Sequence, residues 1–188
     1  MTDALYTIAS VLDTNQLEDL KHFKTTVGSK AALVTNGRDG KPGGHYDDLR
    51  KAEIKEIRPK EFPDVCESIL DMIELHRPHL SRENHLVKEF NYLMYEIGGH
   101  FVKHKDWLNR ENGDPKRNRL FSTITLIDKS EDLDGGDLYI WPEEPDADGS
   151  LIELELGETV IFNSMRMHQV TPIVQGTREA LVAWIYLK

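Results

Sequence analysis

Apolar residues recur at helical spacing in two early stretches and at strand-like spacing through most of the chain after residue 87. Leu17, Leu20 and Phe23 share one face of a predicted helix, with Asp13 and Gln16 ahead of it as N-cap and N3 partner and Gly28 as its end. A second helix is predicted from Pro63, with Val65, Ile69, Leu70 and Ile73 on one face and Pro78 beyond its end. Between the two, the Gly-rich run from Asn36 to Tyr46 reads as a loop, and Ile54 and Ile57 as part of a short strand.

From Val87 the pattern changes. Leu120 to Ile127 is rich in β-branched residues, and Ile152, Leu154 and Leu156 alternate with Glu153 and Glu155, as in a half-buried strand. Thr159 to Phe162 and Ala180 to Tyr186 are short apolar runs. Gly98-Gly99, Asn112-Gly113-Asp114-Pro115, Asp134-Gly135-Gly136 and Asp148-Gly149 supply turns between such segments. Short strands at close spacing, with no helical pattern between them, predict a sandwich or barrel. The expected fold is mainly β with N-terminal helices.

Composition narrows the function. The 188 residues include 33 Asp and Glu against 23 Lys and Arg, a net charge of −10. That excess argues against nucleic acid or an anionic membrane surface as partner, and for a neutral or basic substrate. The single cysteine, Cys66, excludes an intrachain disulfide and a four-cysteine zinc site. With no signal-like start and no membrane-length apolar run, a cytoplasmic protein is expected.

The densest chemistry lies in Tyr95-Glu96-Ile97-Gly98-Gly99-His100-Phe101-Val102-Lys103-His104-Lys105-Asp106. His104 and Asp106 are two apart, so on an extended segment they leave the same face. His168, after one strand-like run and before Pro172, is the best third ligand. Two histidines and a carboxylate on one side of a metal leave its other positions open, as non-haem Fe(II) oxygenases require. Each residue also has an ordinary structural explanation, and a rival reading pairs His100 with His104 on a helix as zinc ligands. Arg178, ten positions after His168 at the start of an apolar strand, calls for an anionic partner; a carboxylate of the protein or of a ligand would serve.

The stretch from about Val87 to the end resembles the 2-oxoglutarate/Fe(II)-dependent dioxygenases, specifically the prolyl 4-hydroxylase-like group. The resemblance is carried by YEIGGHFVKHKDW, RLFSTITLID, GGDLYIW and GETVIFNSMRMHQVTPIVQGTREALVAWI, in the family's order. It implies a double-stranded β-helix (jelly-roll) core in which His104, Asp106 and His168 bind Fe(II). Arg178 and Tyr95 would hold the distal carboxylate of 2-oxoglutarate. The implied cosubstrates are 2-oxoglutarate and O2, with ascorbate as an accessory reductant. Arg178 stands where collagen prolyl hydroxylases have Lys, so the likeness is to the broad group. Retention of Asp106 favours hydroxylation over halogenation.

On this reading one domain spans residues 1–188. Residues 1–86 give helical support and a candidate substrate flap at Asn36–Tyr46, and residues 87–188 give the β-helix core with the metal site. Trp107 is a candidate pocket wall. Thr123 and Thr125, on one strand face, are candidates to line the cosubstrate pocket. Prolyl hydroxylation of a peptide or protein is the expected function. A free amino acid or other small molecule is the alternative substrate, and a non-catalytic metal-binding β-barrel the third reading.

Overall fold

The computed structural model describes residues 5–26, 28–32, 34–36, 42–44, 46–77, 83, 85–108, 118–143 and 147–188. In chain order the elements are β1 (Thr7–Ser10), α1 (Thr14–Thr26), β2 (Lys30–Ala31), β3 (Val34–Asn36), β4 (Pro42–Gly44), β5 (Arg50–Lys51) and β6 (Glu53–Ile57). A 3-10 turn, Pro59–Glu61, leads into α2 (Pro63–His76), followed by β7 (His85–Tyr95), β8 (His100–His104), β9 (Phe121–Lys129), β10 (Asp134–Gly135) and β11 (Leu138–Ile140). The last strands are β12 (Ser150–Ile152), β13 (Glu158–Asn163), β14 (His168–Val170), β15 (Ile173–Gln175) and β16 (Arg178–Leu187).

These strands form a seven-stranded major sheet, β1-β13-β9-β16-β7-β6-β2, and a five-stranded minor sheet, β12-β11-β14-β8-β5. The described pairings within both are antiparallel. Alternation along β16 shows how the layers are built. Leu181, Ala183 and Ile185 join Leu17, Leu20, Ile69 and Ile73 in a core beneath the two helices. Ala180, Val182, Trp184 and Tyr186 join Leu138, Ile140 and Ile152 of the minor sheet in a second core. The helices thus buttress the outer face of the major sheet, and the inner face opens on the space between sheets.

Helix α1 begins as its sequence dictates. The Asp13 carboxylate accepts from the Gln16 amide at 2.9 Å, and the Gln16 side chain accepts from the Asp13 amide at 3.0 Å. In α2 the buried set is Val65, Cys66, Ile69, Met72 and Ile73. Leu70 is only half-buried, so the apolar face is rotated from the one expected.

Three expectations are corrected. The alternation at Ile152–Leu156 does not continue as strand: β12 stops at Ile152, Leu154 stays buried, and Leu156 is exposed where the chain turns at Gly157 with φ +82°. Thr123 and Thr125 face away from the inter-sheet space. Thr125 bonds the Thr159 hydroxyl at 2.6 Å and Thr123 the Ala183 carbonyl at 3.3 Å, while Ser122, Ile124 and Leu126 point inward. Residues 1–86 are also more than helical support, since β1, β2 and β6 belong to the major sheet and β5 to the minor one. Of the candidate flap, β3 and β4 pair as a two-stranded ribbon; residues 37–41 and 45 lie outside the described residues, as does the turn at residues 112–115.

Candidate active site

Strand β8 delivers His104 at its last position, and β14 delivers His168 at its first, directly opposite in register. Chain direction then changes after His104. The Asp106 and Trp107 amides both donate to the Ser164 carbonyl at 3.0 Å, which folds Asp106 back toward the two histidines. Ligand atoms of His104, Asp106 and His168 lie within 4.8 Å of one another. His104 Nε2 is 3.6 Å from Asp106 Oδ1, and His168 Nε2 is 3.5 Å from Asp106 Oδ2.

Local hydrogen bonds fix which atoms face inward. His104 Nδ1 contacts the Val102 carbonyl at 2.8 Å, and His168 Nδ1 the Arg166 carbonyl at 3.2 Å. A carbonyl only accepts, so both rings carry hydrogen on Nδ1 and turn Nε2 into the cluster. On the carboxylate, Ser122 Oγ donates to Oδ2 at 2.6 Å and Trp184 Nε1 donates to the same oxygen at 2.9 Å. Ser164 Oγ, 2.9 Å from Ser122 Oγ, in turn donates to Ser122, whose proton is committed to Asp106. Oδ2 is saturated with donors, leaving Oδ1 the freer oxygen. Two imidazoles that turn Nε2 inward and a buried carboxylate, converging, fit an Fe(II) ion.

Electrostatics agree. Burial, with the neighbouring His104 charge, pushes His168 down to about 4, so its imidazole is neutral around pH 7. Burial favours the acid form of Asp106, but the facing His168, His104 and Arg119 overcome it and hold the carboxyl well below its usual range.

The triad opens on a cavity of about 470 Å³ between the sheets, with Leu93, Tyr95, Ile124, Val170, Val182 and Trp184 among its walls. Tyr95 pairs in register with Arg178, whose Cζ is 6.0 Å from the Tyr95 ring. Arg178 is 6% exposed, and among the described residues no carboxylate reaches it within ion-pair distance. Arg178 is not among the residues that line the cavity.

A family profile for the 2OG-Fe(II) oxygenase superfamily matches residues 90–186, about half of the chain and the part that contains this triad. The chain belongs to that superfamily. It is an oxygenase enzyme, and membership implies Fe(II), 2-oxoglutarate and O2. Among curated relatives, a PKHD-type hydroxylase of Klebsiella pneumoniae is 25% identical over 184 residues, covering 96% of this chain and 78% of the relative. One of Paraburkholderia xenovorans is 28% identical, covering 95% and 76%. Among solved structures, a Pseudomonas putida prolyl-4-hydroxylase superposes with TM-score 0.66 at 20% identity, over 99% of this chain and 94% of its own. A Trichoplax adhaerens prolyl hydroxylase, solved with a hypoxia inducible factor oxygen degradation domain peptide fragment, gives 0.68 at 15%, over 98% and 84%. The double-stranded β-helix of these oxygenases is the fold observed.

Within the oxygenase, the rival pairing of His100 with His104 on a helix is excluded. The segment is strand β8, and the His100 ring contacts the Gly98 carbonyl at 2.9 Å. Trp107 does not line the cavity. Sequence reasoning missed Ser122, Ser164 and Trp184 around Asp106, and also Arg50 and Arg119 in the cavity wall. No helix among the described residues is long and apolar enough to cross a membrane.

Proposed function

We propose that this oxygenase is a prolyl hydroxylase acting on a peptide or protein. His104, Asp106 and His168 bind Fe(II), and Arg178 with Tyr95 holds the distal carboxylate of 2-oxoglutarate. The observation that carries the reading is the triad itself: Nε2, Nε2 and Oδ1 converge while every other polar atom of the three side chains is engaged. Bound Fe(II) and 2-oxoglutarate supply the oxidation, in which O2, 2-oxoglutarate and a substrate C–H give succinate, CO2 and C–OH.

The chain's own residues bind, orient and exclude water. The Nδ1 bonds fix both imidazole planes, and Ser122 with Trp184 holds the Asp106 carboxylate in one rotamer. Leu93, Ile124, Val170 and Val182 give one part of the cavity wall an apolar surface. Arg178 keeps its charge although burial lowers its affinity for the proton, so a buried cation beside Tyr95 on the neighbouring strand is matched to a dicarboxylate. The prolyl target is supported by the PKHD-type relatives and the prolyl hydroxylase neighbours. A cytoplasmic location is in keeping with the free, buried Cys66.

The test is turnover of 2-oxoglutarate by the purified protein with Fe(II) and ascorbate. A proline-rich peptide panel runs beside a free amino-acid panel, each read by mass spectrometry for a +16 product. Hydroxylated peptide is expected, and His104→Ala should abolish both iron binding and succinate. A +16 product confined to free amino acids would redirect the assignment to a small-molecule hydroxylase.

A further inference from the structure

Asn91 sits within β7, only 8% exposed, and lines the cavity on which the triad opens. Among the described residues no hydrogen bond reaches its side chain. Its cross-strand neighbours supply none. Val182 on β16 is apolar, and Glu56 on β6 is paired with Lys30 at 2.7 Å. Asn is a poor strand former, and an amide buried without a partner costs stability. The next two inner positions of β7, Leu93 and Tyr95, pack in the core between the sheets. Nothing in that packing calls for an amide at position 91.

Position on the sheet separates this amide from the cosubstrate's end of the site. Asn91, Leu93 and Tyr95 leave the same face of β7, and Tyr95 is the one in register with Arg178. Asn91 is four residues from Tyr95, about 13 Å of strand, out of reach of a distal carboxylate held at Tyr95. It is close to the triad instead. Val182 is its partner on β16, and Trp184, two residues on, lies diagonally about 7–8 Å away on the same face. The Trp184 indole is hydrogen-bonded to Asp106. The Asn91 amide therefore meets the cavity about one side chain from the ring that holds the triad's carboxylate. A group bound there lies on the substrate's side of the metal position.

A side-chain amide presents a donor, Nδ2, beside an acceptor, Oδ1, and carries no charge. In an extended peptide the N–H and C=O of one residue point to the same side, so one such amide takes both. The ammonium and carboxylate of a free amino acid are charges, which an amide between Leu93 and Val182 does not balance. We infer that Asn91 binds the main chain of a peptide substrate, pairing with the N–H and C=O of one residue next to the target proline. Proline has no N–H of its own, so the residue contacted is a neighbour of the target. The contact is blind to side chains. It favours peptide over free amino acid and fixes how deep the strand enters, leaving sequence to other parts of the wall. The inference rests on the prolyl hydroxylase reading and deepens it.

Calorimetry on protein loaded with Mn(II) and N-oxalylglycine tests this with end-blocked peptides of the proline-rich panel. The tightest binder is remade with an N-methyl group on each residue flanking its proline in turn, and L-proline is titrated beside it. In the unaltered protein one N-methyl position should cost about tenfold in affinity, and L-proline should bind more weakly than the peptide. Asn91→Leu should bind the unmethylated peptide about tenfold more weakly and feel that N-methyl group by less than about twofold. Asn91→Ala, which cannot crowd the sheet, carries the same comparison where leucine does not fit. Affinities for Mn(II) and N-oxalylglycine should stay within about twofold in both. The urea midpoint of at least one variant should match or exceed that of the unaltered protein, because an unpartnered amide has been removed. A fall in both means that the amide serves the fold, and overturns the inference. So does peptide affinity unchanged in both variants, an N-methyl penalty that survives them, or L-proline bound more tightly than every peptide. Peptide hydroxylation by the unaltered protein, with affinity untouched by substitution of Asn91, removes this contact alone. Absence of any hydroxylated peptide from the panel is a different result, and removes the prolyl peptide reading together with the contact.

Discussion

Asp106 is the residue on which the site turns, and its behaviour follows from two donors that touch no ligand. Ser122 and Trp184 both donate to Oδ2. Trp184→Phe keeps the ring and deletes one N–H; Ser122→Ala deletes the other donor and strands Ser164. Each should weaken Mn(II) binding about 10- to 100-fold while costing about 1–3 kcal/mol of stability. Titration of Mn(II) by electron paramagnetic resonance reads the first effect and urea unfolding the second. Unchanged Mn(II) affinity in both variants would mean that the packed backbone alone orients the carboxylate. Acid should act on the same cluster. His168 takes its proton near pH 4 when folded and near 6.5 when unfolded, so the unfolded chain binds an extra proton between those values. Stability of the metal-free protein should therefore decline as pH falls from about 6.5 to 4, and His168→Gln should flatten the decline in urea midpoints. Of this cluster, His104 and Asp106 were marked in sequence by their spacing of two, although β8 ends at His104 and the bond from the Asp106 amide to the Ser164 carbonyl, not strand alternation, brings the carboxylate back to the histidines. Ser122 and Trp184 were not, since nothing in an apolar run marks which side chain meets a residue 16 or 78 positions away.

At the scale of elements, strand parity decided which local readings held. Thr123 and Thr125 share a face, as alternation requires, but composition could not say which face was inner; the register of β9 against β16 and β13 put Ser122 there instead. The N-cap at Asp13 was readable because its bonds span three residues. The end of the Ile152–Leu156 alternation was not, because it depends on a tertiary tie at Gly157. That residue has φ +82°, its carbonyl accepts from the Val11 and Leu12 amides, and its own amide donates to the Leu126 carbonyl. A Cβ there would lie 2.4 Å from the Leu12 carbonyl oxygen. Gly157→Ala combines a left-handed backbone with a backbone clash, so a loss of about 2 kcal/mol or more is expected in chemical denaturation. A change below about 0.5 kcal/mol would show that the β1–β13 edge is not anchored there.

For the whole molecule, the division at residue 87 that the hydrophobic pattern suggests does not describe how the sheets are assembled. Strand β7 spans eleven residues between β16 and β6, and β6 comes from the first half of the chain. Strand β1 closes the other edge against β13. Helices α1 and α2 cover Phe90, Tyr92, Ile127, Ile161, Leu181 and Ile185 on the outer face. A polar knot around the buried Glu179 ties the same halves together: Lys24 and Tyr92 both bond the Glu179 carboxylate, and Lys55 bonds the Lys24 carbonyl. We propose that residues 1–188 fold as one cooperative domain. A fragment of residues 87–188 would keep all three triad residues yet expose the outer apolar face and leave β7 as a long unpaired edge, a template for association. Calorimetry of the full chain should give a single transition with equal van't Hoff and calorimetric enthalpies. The fragment should aggregate or bind a hydrophobic dye without a cooperative transition, and should not bind Mn(II). If the fragment instead melts cooperatively and binds Mn(II) as the full chain does, the N-terminal half is a separable layer. Strand β5, which pairs with β8 beside His104, would then reach the site only by docking of that layer.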